Sequence, residues 1–421
     1  MLDKTLGTAR RLIPTKIYGF FNPAYHWLIA FLAACFYCFP SREIKVIAVT
    51  GTKGKSTTTE ILNSILEEAG FKTALSNTIR HKIDSESFQN LSKMSMPGRF
   101  FMQKILRQAV KAGCQYAIIE ITSQGALLYR HRFIQLDALI FTNISPEHID
   151  AHGSFENYLD SKLSIARNML RSKKSPRTII VNAEDKTAEL FFEIPVDKKI
   201  DYSLHNIEPY IIKKEGLEFT LNGRTVRSHL SGVFNLFNIV AALTAAKNEN
   251  LTDDQIIRGI ENLQSIPGRV EKIPNNRGLT IIVDYAHTPD SLVKLYELFK
   301  GSKIIGVLGG TGGGRDTWKR SEMGRLADKY CSSIILTNED PYDENPDKIV
   351  ADVAKGIINK KPTIIMDRRK AIGQALKQAV TGDVILITGK GTDPYIMGPK
   401  GSKIPWSDAE VVKEELLVIT K

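Results

Sequence analysis

A phosphate-binding loop is predicted where an apolar stretch runs into glycines, lysines and hydroxyl residues, in IAVTGTKGKSTTT at residues 47–59. The glycines allow backbone amides to approach phosphate oxygens without interference from a Cβ atom. Lys55 can neutralise the β- and γ-phosphates of a nucleotide, and a hydroxyl such as that of Ser56 can ligate Mg²⁺. The helix that follows adds partial positive charge from its N-terminus. The residues predicted to hold the nucleotide here are Gly51, Thr52, Lys53, Gly54, Lys55, Ser56 and Thr57.

Alternating strand-like and helix-like stretches position this loop. EIKVIAVT, before the loop, predicts a buried strand, and STTTEILNSILEEAG, after it, predicts an amphipathic helix. The same rhythm continues through the apolar stretches QYAIIEIT, LDALIFTNI and TIIVNAED. This alternation is typical of a parallel α/β sheet.

A second α/β domain is predicted in the C-terminal part of the chain. Residues 200–231 predict a small antiparallel sheet, because their apolar residues alternate around turn signals. The segment 266–278 is rich in Pro, Gly and Asn, and the strand–helix rhythm restarts after it. The expected fold class is α/β, with a P-loop central domain of mostly parallel sheet and a smaller Rossmann-like C-terminal domain. The expected divisions are an apolar and basic segment at 1–40, the nucleotide-binding domain at 41–267 and the C-terminal domain at 268–421.

The composition is that of an ordinary globular protein, with 421 residues of which 43% are hydrophobic and 24% charged. The net charge of +11 is compatible with a nucleic acid, an anionic membrane surface or a multiply charged substrate. The basic residues are spread along the chain and no nucleic-acid-binding motif is present, so we expect no nucleic-acid partner. The four cysteines fit a reducing cytoplasm better than a disulfide framework.

The N-terminal segment combines basic and apolar residues. Its apolar run, WLIAFLAACFYCF at residues 27–39, is short for a membrane span, and no other segment is long and apolar enough to be one. A helix packed on the main body is the favoured interpretation. The alternative is an in-plane membrane helix that makes peripheral contact through residues 26–39. Four basic residues precede the run: Lys4, Arg10, Arg11 and Lys16.

The phosphate loop resembles that of the Mur ligase family, whose members share a GTxGK[ST]T form shorter than the common G-x-x-x-x-G-K-[ST] loop. The resemblance extends over about residues 44–412, and DYAHTPDSL and GRDTWKRSEMG are similar to the MurE type in particular. The other motifs, in the family's order, are EITSQGALLYR, FTNISPEHIDAHGSFENYLDSK, GVFNLFN, PGRVE, GKGTD and WSDAEVV.

This resemblance implies an ATP-dependent ligase of cell-wall synthesis. Mur ligases join an amino acid to a muramoyl-peptide precursor of peptidoglycan through an acyl phosphate, and they convert ATP to ADP and phosphate. Such an enzyme works mainly by positioning its substrates and neutralising charge. The implied partners are a muramoyl peptide and an amino acid, the implied cofactors are ATP and Mg²⁺, and the implied location is the cytoplasm. We expect a monomer.

A metal site is implied by the same resemblance. Glu120 ends the apolar run YAIIEI, at a strand end where α/β enzymes present ligands, and is interpreted as a Mg²⁺ ligand. His148 corresponds to the family's metal-binding histidine. Lys162 corresponds to a lysine that CO₂ converts into a carbamate, an anion able to bind or order a second Mg²⁺. The implied metal ligands are Ser56, Glu120, His148 and Lys162, and the implied catalytic residues are Lys55, His148 and Lys162.

Further residues correspond to the family's binding positions. Asn235 and Asn238 resemble asparagines near the adenine, and Asp284 and His287 correspond to residues that face ATP. Gln124 stands where the family usually has a histidine. The residues implied to bind the substrates are Ser95, Thr122, Ser123, Arg130, Arg315, Glu339, Asp340, Tyr342, Gly389 and Asp393.

Two departures from the family bear on the substrates. The family's DNPR motif is Glu339-Asp340-Pro341-Tyr342 here, without the arginine that grips diaminopimelate, and the family's late glutamate is Asp393. An acidic pocket of this kind suits a cationic side chain such as that of lysine. About forty residues precede the strand of the loop, fewer than a UDP-binding domain needs. A UDP-linked acceptor and a lipid-linked acceptor therefore both stay open.

Two other functions are compatible with these residues. One is another amide ligase of the Mur superfamily that acts on a lipid-linked muropeptide or a glutamyl polymer. The other is a non-catalytic nucleotide-binding scaffold, which has no need to keep Glu120, His148 and Lys162 together.

Overall fold

The computed structural model describes residues 15–147, 152–314 and 316–419. The chain divides into two compact units. These units differ from the domains predicted from the sequence pattern. The predicted domain boundary after residue 267 stays a prediction. The first unit comprises Met1–Pro146, Ser154–Ser203 and Ala241–Asn250, and the second comprises Glu147–Gly153, Leu204–Val240 and Leu251–Lys421.

The first unit is built on an eight-stranded sheet. Its strands are β1 (Lys45–Thr50), β2 (Thr73–Ser76), β3 (Arg80–Ile83), β4 (Glu86–Gln89), β5 (Tyr116–Glu120), β6 (Ala138–Phe141), β7 (Thr178–Asn182) and β8 (Lys198–Tyr202). They lie in the order β4-β3-β2-β5-β1-β6-β7-β8. All pairings from β2 to β8 are parallel, and β3 and β4 are antiparallel additions at one edge. The central strands are buried at every position except Lys45, the first residue of β1, as expected for a sheet covered on both faces.

Strand register brings the predicted site residues to one edge of this sheet. Val49 of β1 lies opposite Glu120 of β5 and opposite Ile140 of β6, so the carboxyl ends of all three strands coincide. Ligands of open α/β sheets bind at this edge. The helices of this part of the chain are α1 (Thr15–Phe36), α2 (Lys55–Glu68), α3 (Arg99–Lys111), α4 (Ser123–Leu127), α5 (Phe155–Asn168) and α6 (Ala188–Phe192).

Helix α1 confirms the helix expected near the N-terminus, but its apolar residues are distributed unusually. The side facing the protein carries small residues, Ala30, Ala33 and Ala34, all of which are buried. The opposite side carries Leu28, Leu32 and Phe36, which are 48%, 46% and 71% exposed. Trp27 and Tyr25 are exposed to a similar degree. No helix in the part of the chain that the structure describes is both long and apolar enough to cross a membrane.

The second unit contains a small antiparallel sheet and a larger, mostly parallel one. The small sheet confirms the expectation for residues 200–231; its strands are β9 (Tyr210–Lys213), β10 (Gly216–Leu221) and β11 (Arg224–Ser228). The larger sheet has the order β12-β13-β17-β14-β15-β16, in which only β12 is antiparallel. Its strands are β12 (Glu271–Ile273), β13 (Thr280–Asp284), β14 (Ile304–Leu308), β15 (Ser333–Leu336), β16 (Thr363–Ile364) and β17 (Val384–Thr388), and a hairpin follows with β18 (Tyr395–Met397) and β19 (Lys403–Pro405).

Apolar layers cover both faces of the larger sheet. Ile282 of β13 belongs to one buried cluster, whereas its neighbours Ile281 and Val283 belong to another. Because successive strand residues point to opposite faces, the two clusters lie on opposite sides of the sheet. This doubly wound arrangement confirms the expected α/β fold class. The remaining helices are α7 (Val233–Asn248), α8 (Asp253–Glu261), α9 (Pro289–Leu298), α10 (Lys319–Tyr330), α11 (Pro346–Ala354), α12 (Arg368–Gln378) and α13 (Asp408–Ile419).

Candidate active site

The predicted phosphate loop connects β1 to α2, and its first glycine is sterically required. Gly51 has a φ of +148°, and a Cβ atom there would lie 2.0 Å from the Thr142 hydroxyl oxygen. The loop is held by the segment that follows β6. The Thr52 amide donates to Asn143 O at 2.8 Å, and the Lys53 amide donates to Asn143 Oδ1 at 3.0 Å. These two hydrogen bonds to Asn143 therefore help to fix the backbone conformation of the loop.

Two lysines converge on one carbonyl oxygen of this loop. Lys55 Nζ donates to Gly51 O at 3.1 Å and to Thr52 O at 2.8 Å. Lys162 Nζ, on α5, donates to the same Gly51 O at 2.7 Å and lies 4.7 Å from the centre of the Tyr158 ring. Lys162 is only 1% exposed. The structure thus brings together two predicted catalytic residues that are 107 positions apart in the sequence.

Glu120 lies at the end of β5 inside a shell of hydrogen-bond donors. Its carboxylate accepts hydrogen bonds from Ser56 Oγ at 2.7 Å and from Ser95 Oγ at 2.8 Å. Thr78 donates to it through both Oγ1 at 3.1 Å and the backbone amide at 3.2 Å. The Lys55 ammonium is 4.0 Å away. Burial raises the pKa of this carboxyl group, but the Lys55 charge and the hydroxyl donors outweigh it and leave the pKa below its ordinary value. Glu120 is therefore an anion at neutral pH.

This arrangement fits a magnesium ion. Mg²⁺ in nucleotide enzymes is commonly held by one or two protein oxygens, the phosphates and water. Glu120 and the Ser56 hydroxyl supply such oxygens at the mouth of the phosphate loop. Within the described residues, no group of three His, Cys, Asp or Glu side chains could hold a metal by itself. His148, the other implied ligand, lies outside the described residues, as does Arg315.

The implied acceptor residues lie around α4. Thr122 caps this helix by accepting a hydrogen bond from the Gly125 amide at 3.1 Å, and Ser123 is buried at its first position. Arg130 Nη1 donates to Met96 O. Ser95, implied to bind substrate, instead contacts Glu120 and Thr78 in this structure. Its role in substrate binding stays a prediction.

Several residues of the site were not predicted from the sequence. Thr78 donates twice to Glu120. Tyr158 lies against Lys162, and its hydroxyl is 2.8 Å from the Thr52 hydroxyl. Tyr158 and Asn143 both lie inside the FTN…ENYLDSK stretch, so that motif was a usable signal for them. Thr78 follows a short strand that the sequence pattern did not indicate.

The implied nucleotide residues of the second unit have hydrogen bonds within the fold. Asn235 Nδ2 donates to Ser231 O at 2.8 Å, and Asn238 Nδ2 donates to Asn235 Oδ1 at 3.0 Å. Asp284 accepts from the amides of Val270 and Ala286, both at 2.7 Å. These contacts keep the three side chains in place; their contact with ATP stays a prediction.

A buried lysine joins the acidic residues of the second unit. Lys390 is fully buried, and its Nζ lies 2.8 Å from Asp340 Oδ1 and 3.4 Å from Asp393 Oδ2. It also donates to Tyr395 O at 2.6 Å. The backbone of Tyr342 has a φ of +51°, and its amide donates to Met397 O at 3.1 Å. The acidic pocket expected from the sequence therefore contains a buried cation, Lys390, that lies near both carboxylates.

Glu339 lies beside this cluster in a different environment. Its Oε1 accepts a hydrogen bond from Thr311 Oγ1 at 2.9 Å, whereas its buried Oε2 has no hydrogen-bond partner among the described residues. Burial raises the pKa of this carboxyl group and the neighbouring Asp340 adds to the effect, which Arg368 only partly offsets. Gly389 leaves room for it, because a Cβ atom there would lie 2.2 Å from Oε2.

Comparison with known proteins identifies the family. The Mur ligase middle domain matches residues 49–246, and the Mur ligase glutamate ligase domain matches residues 268–391. The UDP-N-acetylmuramoyl-L-alanyl-D-glutamate–2,6-diaminopimelate ligase 1 of Clostridium acetobutylicum is 33% identical over 401 residues, which cover 92% of this chain and 81% of that protein. The corresponding ligase of Aquifex aeolicus is 36% identical over 390 residues, which cover 90% and 78% of the two chains. The chain belongs to the Mur ligase family.

The solved structures agree with this assignment. A UDP-N-acetylmuramoyl-L-alanyl-D-glutamate–2,6-diaminopimelate ligase is 27% identical, with a TM-score of 0.62 over 90% of this Mur ligase and 79% of that chain. The resemblance to the MurE type and the α/β fold are confirmed. This Mur ligase is an ATP-dependent enzyme that forms C–N bonds, and ATP and Mg²⁺ are its cofactors.

Proposed function

We propose that this Mur ligase adds an amino acid to a muramoyl dipeptide, a precursor of peptidoglycan. The observation that carries the proposal is the arrangement of Lys55, Ser56 and Glu120 at the mouth of an ATP loop. Relatives matched over most of their length are named as ligases that act on UDP-N-acetylmuramoyl-L-alanyl-D-glutamate. The enzyme is proposed to be cytoplasmic and monomeric.

The reaction needs charge neutralisation more than acid–base chemistry. A carboxylate oxygen of the acceptor bonds to the γ-phosphorus of ATP as the bond to the ADP oxygen breaks. The amine of the incoming amino acid then bonds to the acyl carbon, phosphate leaves, and the amine loses a proton. Lys55 is placed to offset negative charge on the phosphates, and Mg²⁺ held at Ser56 and Glu120 supplies further positive charge.

Phosphate release from ATP tests this proposal. The wild-type enzyme is incubated with Mg²⁺, UDP-muramoyl-dipeptide and each member of a panel of amino acids. We expect release only when both acceptor and amino acid are present, and none with Lys55→Met. If no pair stimulates release, the proposed substrates are wrong. The runner-up acceptor is a lipid-linked muropeptide, which the exposed apolar side of α1 favours, and it is assayed in parallel.

Carbamylation of Lys162 is the second part of the proposal. The carbamate forms when the neutral amine attacks CO₂ and releases one proton. Lys162 is buried, and its Nζ shares Gly51 O with the ammonium of Lys55, so the amine that would react lies inside the candidate site. The product anion would lie beside Lys55 and could order a second Mg²⁺.

Labelled bicarbonate provides the test for the carbamate. We expect a carbamate ¹³C signal in the wild-type enzyme that disappears in Lys162→Ala, together with loss of activity. Lys82→Ala is the matched control, because Lys82 is also buried but is paired with Glu67 at 2.6 Å. Full activity of Lys162→Ala, with or without bicarbonate, would show that activity does not require a carbamate on Lys162.

The incoming amino acid is proposed to carry a cationic side chain. Two carboxylates, those of Asp340 and Asp393, lie around Lys390, and Tyr342 stands in place of the family's arginine. We expect a higher kcat/KM for L-lysine than for diaminopimelate. Tyr342→Arg should shift this preference towards diaminopimelate. A preference for diaminopimelate in the wild-type enzyme would contradict the assignment.

Peripheral contact with the inner face of the membrane is proposed through residues 26–39. The outward side of α1 carries Leu28, Leu32 and Phe36, and no charged residue occurs between Lys16 and Arg42. Basic residues flank this apolar stretch on the N-terminal side, which suits anionic lipid headgroups. An in-plane helix of this kind buries its apolar side just below the headgroups.

Sedimentation with anionic vesicles tests the membrane contact. We expect the wild-type protein to pellet, and a Leu28→Glu/Leu32→Glu/Phe36→Glu variant to stay in the supernatant. Leu190→Glu is the control, because Leu190 is an exposed apolar residue on α6. Equal recovery of wild type and triple variant would rule out the contact. A wild-type dimer that the triple variant converts to monomer would assign the same side of α1 to a second copy instead.

A further inference from the structure

Two half-buried arginines lie close together beside the loop that carries Ser95. Arg99 begins α3, and Arg130 lies three residues after the end of α4. Each guanidinium is held by a main-chain carbonyl group, because Arg99 Nη2 donates to Leu128 O and Arg130 Nη1 donates to Met96 O. The two side chains are thereby fixed in place.

Helix α1 contributes to this arrangement. The Nη2 atom of Arg99 also contacts Nδ1 of His26, which is buried on the protein-facing side of α1. Arg99 therefore connects α1 to the part of the site that surrounds α4. Neither Arg99 nor His26 belongs to a family motif in this chain.

No carboxylate among the residues that the structure describes balances the positive charge of the arginine pair. Neither Arg99 nor Arg130 forms an ion pair with a carboxylate of the described residues, and the buried Nε atom of each has no hydrogen-bond partner. Burial lowers the pKa of both guanidinium groups, and the charge of Arg130 lowers that of Arg99 further. Two like charges held together in a half-buried place are unfavourable until an anion joins them.

The pair is within reach of the reacting end of the site. Ser95, which donates to Glu120, is four residues before Arg99 in the sequence. Four residues span at most ~14 Å when fully extended. An extended acceptor molecule can therefore place one group near Glu120 and another at the two arginines.

We propose that Arg99 acts together with Arg130, which the family resemblance already implies in substrate binding, to bind an anionic group of the acceptor, either a carboxylate or a diphosphate. Guanidinium groups suit both, because their planar N–H donors match carboxylate and phosphate oxygens. The inference rests on the proposed function and extends it, since it assigns Arg99, and with it α1, to acceptor recognition.

Anion binding without turnover tests the proposal. Binding of inorganic pyrophosphate and of glutarate is measured by calorimetry on the full chain, with the phosphate loop filled by saturating Mg·ADP. We expect Arg99→Gln to weaken binding of one of these anions by ~10–100-fold, the range for a hydrogen bond between charged groups. Arg99→Lys should recover part of it. Arg107→Gln is the control, because Arg107 lies on the same helix but pairs with Glu43 at 2.7 Å.

Each outcome has a distinct meaning. Weaker pyrophosphate binding identifies a diphosphate as the bound group, and weaker glutarate binding identifies a carboxylate. Equal binding of both anions to wild type and Arg99→Gln, at an unchanged Tm, overturns the proposal. In the ligase assay, we expect the KM for the acceptor to rise in Arg99→Gln while the KM for ATP stays unchanged. Failure of the proposed function appears differently, as wild-type enzyme that no acceptor stimulates.

Discussion

Glu120 and Glu339 are both buried glutamates that follow strands, one in each unit, and their surroundings shift their pKa values in opposite directions. Glu120 receives hydrogen bonds from three side-chain hydroxyls and lies near the Lys55 ammonium. Glu339 receives one hydroxyl hydrogen bond and lies near another carboxylate. Burial raises the pKa of both carboxyl groups; at Glu120 the Lys55 charge and the hydrogen-bond donors outweigh burial, whereas at Glu339 burial and Asp340 outweigh the opposing effects of Arg368 and Thr311.

The surroundings of Glu120 and of Glu339 suit two different roles for buried charged groups, one in binding a metal and one in stabilising the fold. Around Glu120 the protein stabilises an anion whose oxygens face the ATP loop, as a metal ligand requires. In the second unit, Lys390 lies near both Asp340 and Asp393, and burial holds the pKa of Glu339 above its ordinary value. Changes near Glu120 should therefore affect activity first, and changes around Lys390 should affect stability first.

Replacing Lys390 is expected to have the largest effect on stability. Lys390→Met removes the buried cation that both Asp340 and Asp393 contact, and breaking a buried ion pair costs about 3–5 kcal/mol. Urea unfolding measures the change. Lys303→Met is the control, because Lys303 pairs with Asp383 from an exposed position and should change the urea midpoint little. An unfolding curve of Lys390→Met that matches wild type would show that this lysine is not structural.

Glu120→Gln is expected to abolish most activity while the fold persists. An amide keeps the size of the side chain and can still accept from Ser56 and Ser95, but it loses the negative charge that we propose holds Mg²⁺. We expect kcat to fall by about 10²–10³-fold, the cost of removing one key electrostatic group. Phosphate release at increasing Mg²⁺ concentration measures it. Glu60→Gln is the matched control, because Glu60 is buried and paired with Arg80; activity within threefold of wild type in Glu120→Gln would contradict the metal role.

The pH dependence of stability tests Glu339. Its raised pKa means that the folded protein binds the proton more tightly than the unfolded chain, so this group's contribution to stability is complete below about pH 4.3 and is lost as pH rises through the folded pKa. Glu339→Gln cannot titrate. We therefore expect the free energy of unfolding of Glu339→Gln, relative to that of wild type, to rise by about 1 kcal/mol between acid and neutral pH. Tm measured against pH for both proteins decides this; parallel curves would show that Glu339 is ionised in the fold.

The sequence pattern alone predicts the positions of the loop and of Glu120, which lie at strand ends. The glycines and lysines predict the phosphate loop. An apolar run that ends at a carboxylate predicts the position of Glu120 at a strand end. Parallel register then places both at one edge of the sheet. The positions of the loop between β1 and α2 and of Glu120 at the end of β5 follow from local pattern and from a general rule of α/β sheets, whereas their roles stay predictions.

The partners of these residues depended on sheet order, which the sequence pattern did not reveal. Thr78 reaches Glu120 because β2 lies beside β5, and β2 is a strand of only four residues. Lys390 lies within the GKGTD motif, but the motif does not indicate that it is fully buried, since lysine is seldom buried without a partner. An apolar run likewise does not reveal that α1 turns its alanines inward and its large side chains outward.

Ser95→Ala tests whether Ser95 mainly supports the Glu120 carboxylate or mainly binds the acceptor, and it has the smallest expected effect. The resemblance implies that Ser95 binds the acceptor, whereas its hydroxyl donates to Glu120 at 2.8 Å. If it mainly serves Glu120, the loss of one hydrogen bond among several should cost about 1 kcal/mol, or roughly fivefold, and should weaken the apparent affinity for Mg²⁺. If it mainly serves the acceptor, the KM for the acceptor rises and the Mg²⁺ dependence stays unchanged. Ser95→Thr keeps the hydroxyl and should restore the Mg²⁺ dependence only in the first case, so the two variants together assign this residue to the carboxylate or to the substrate.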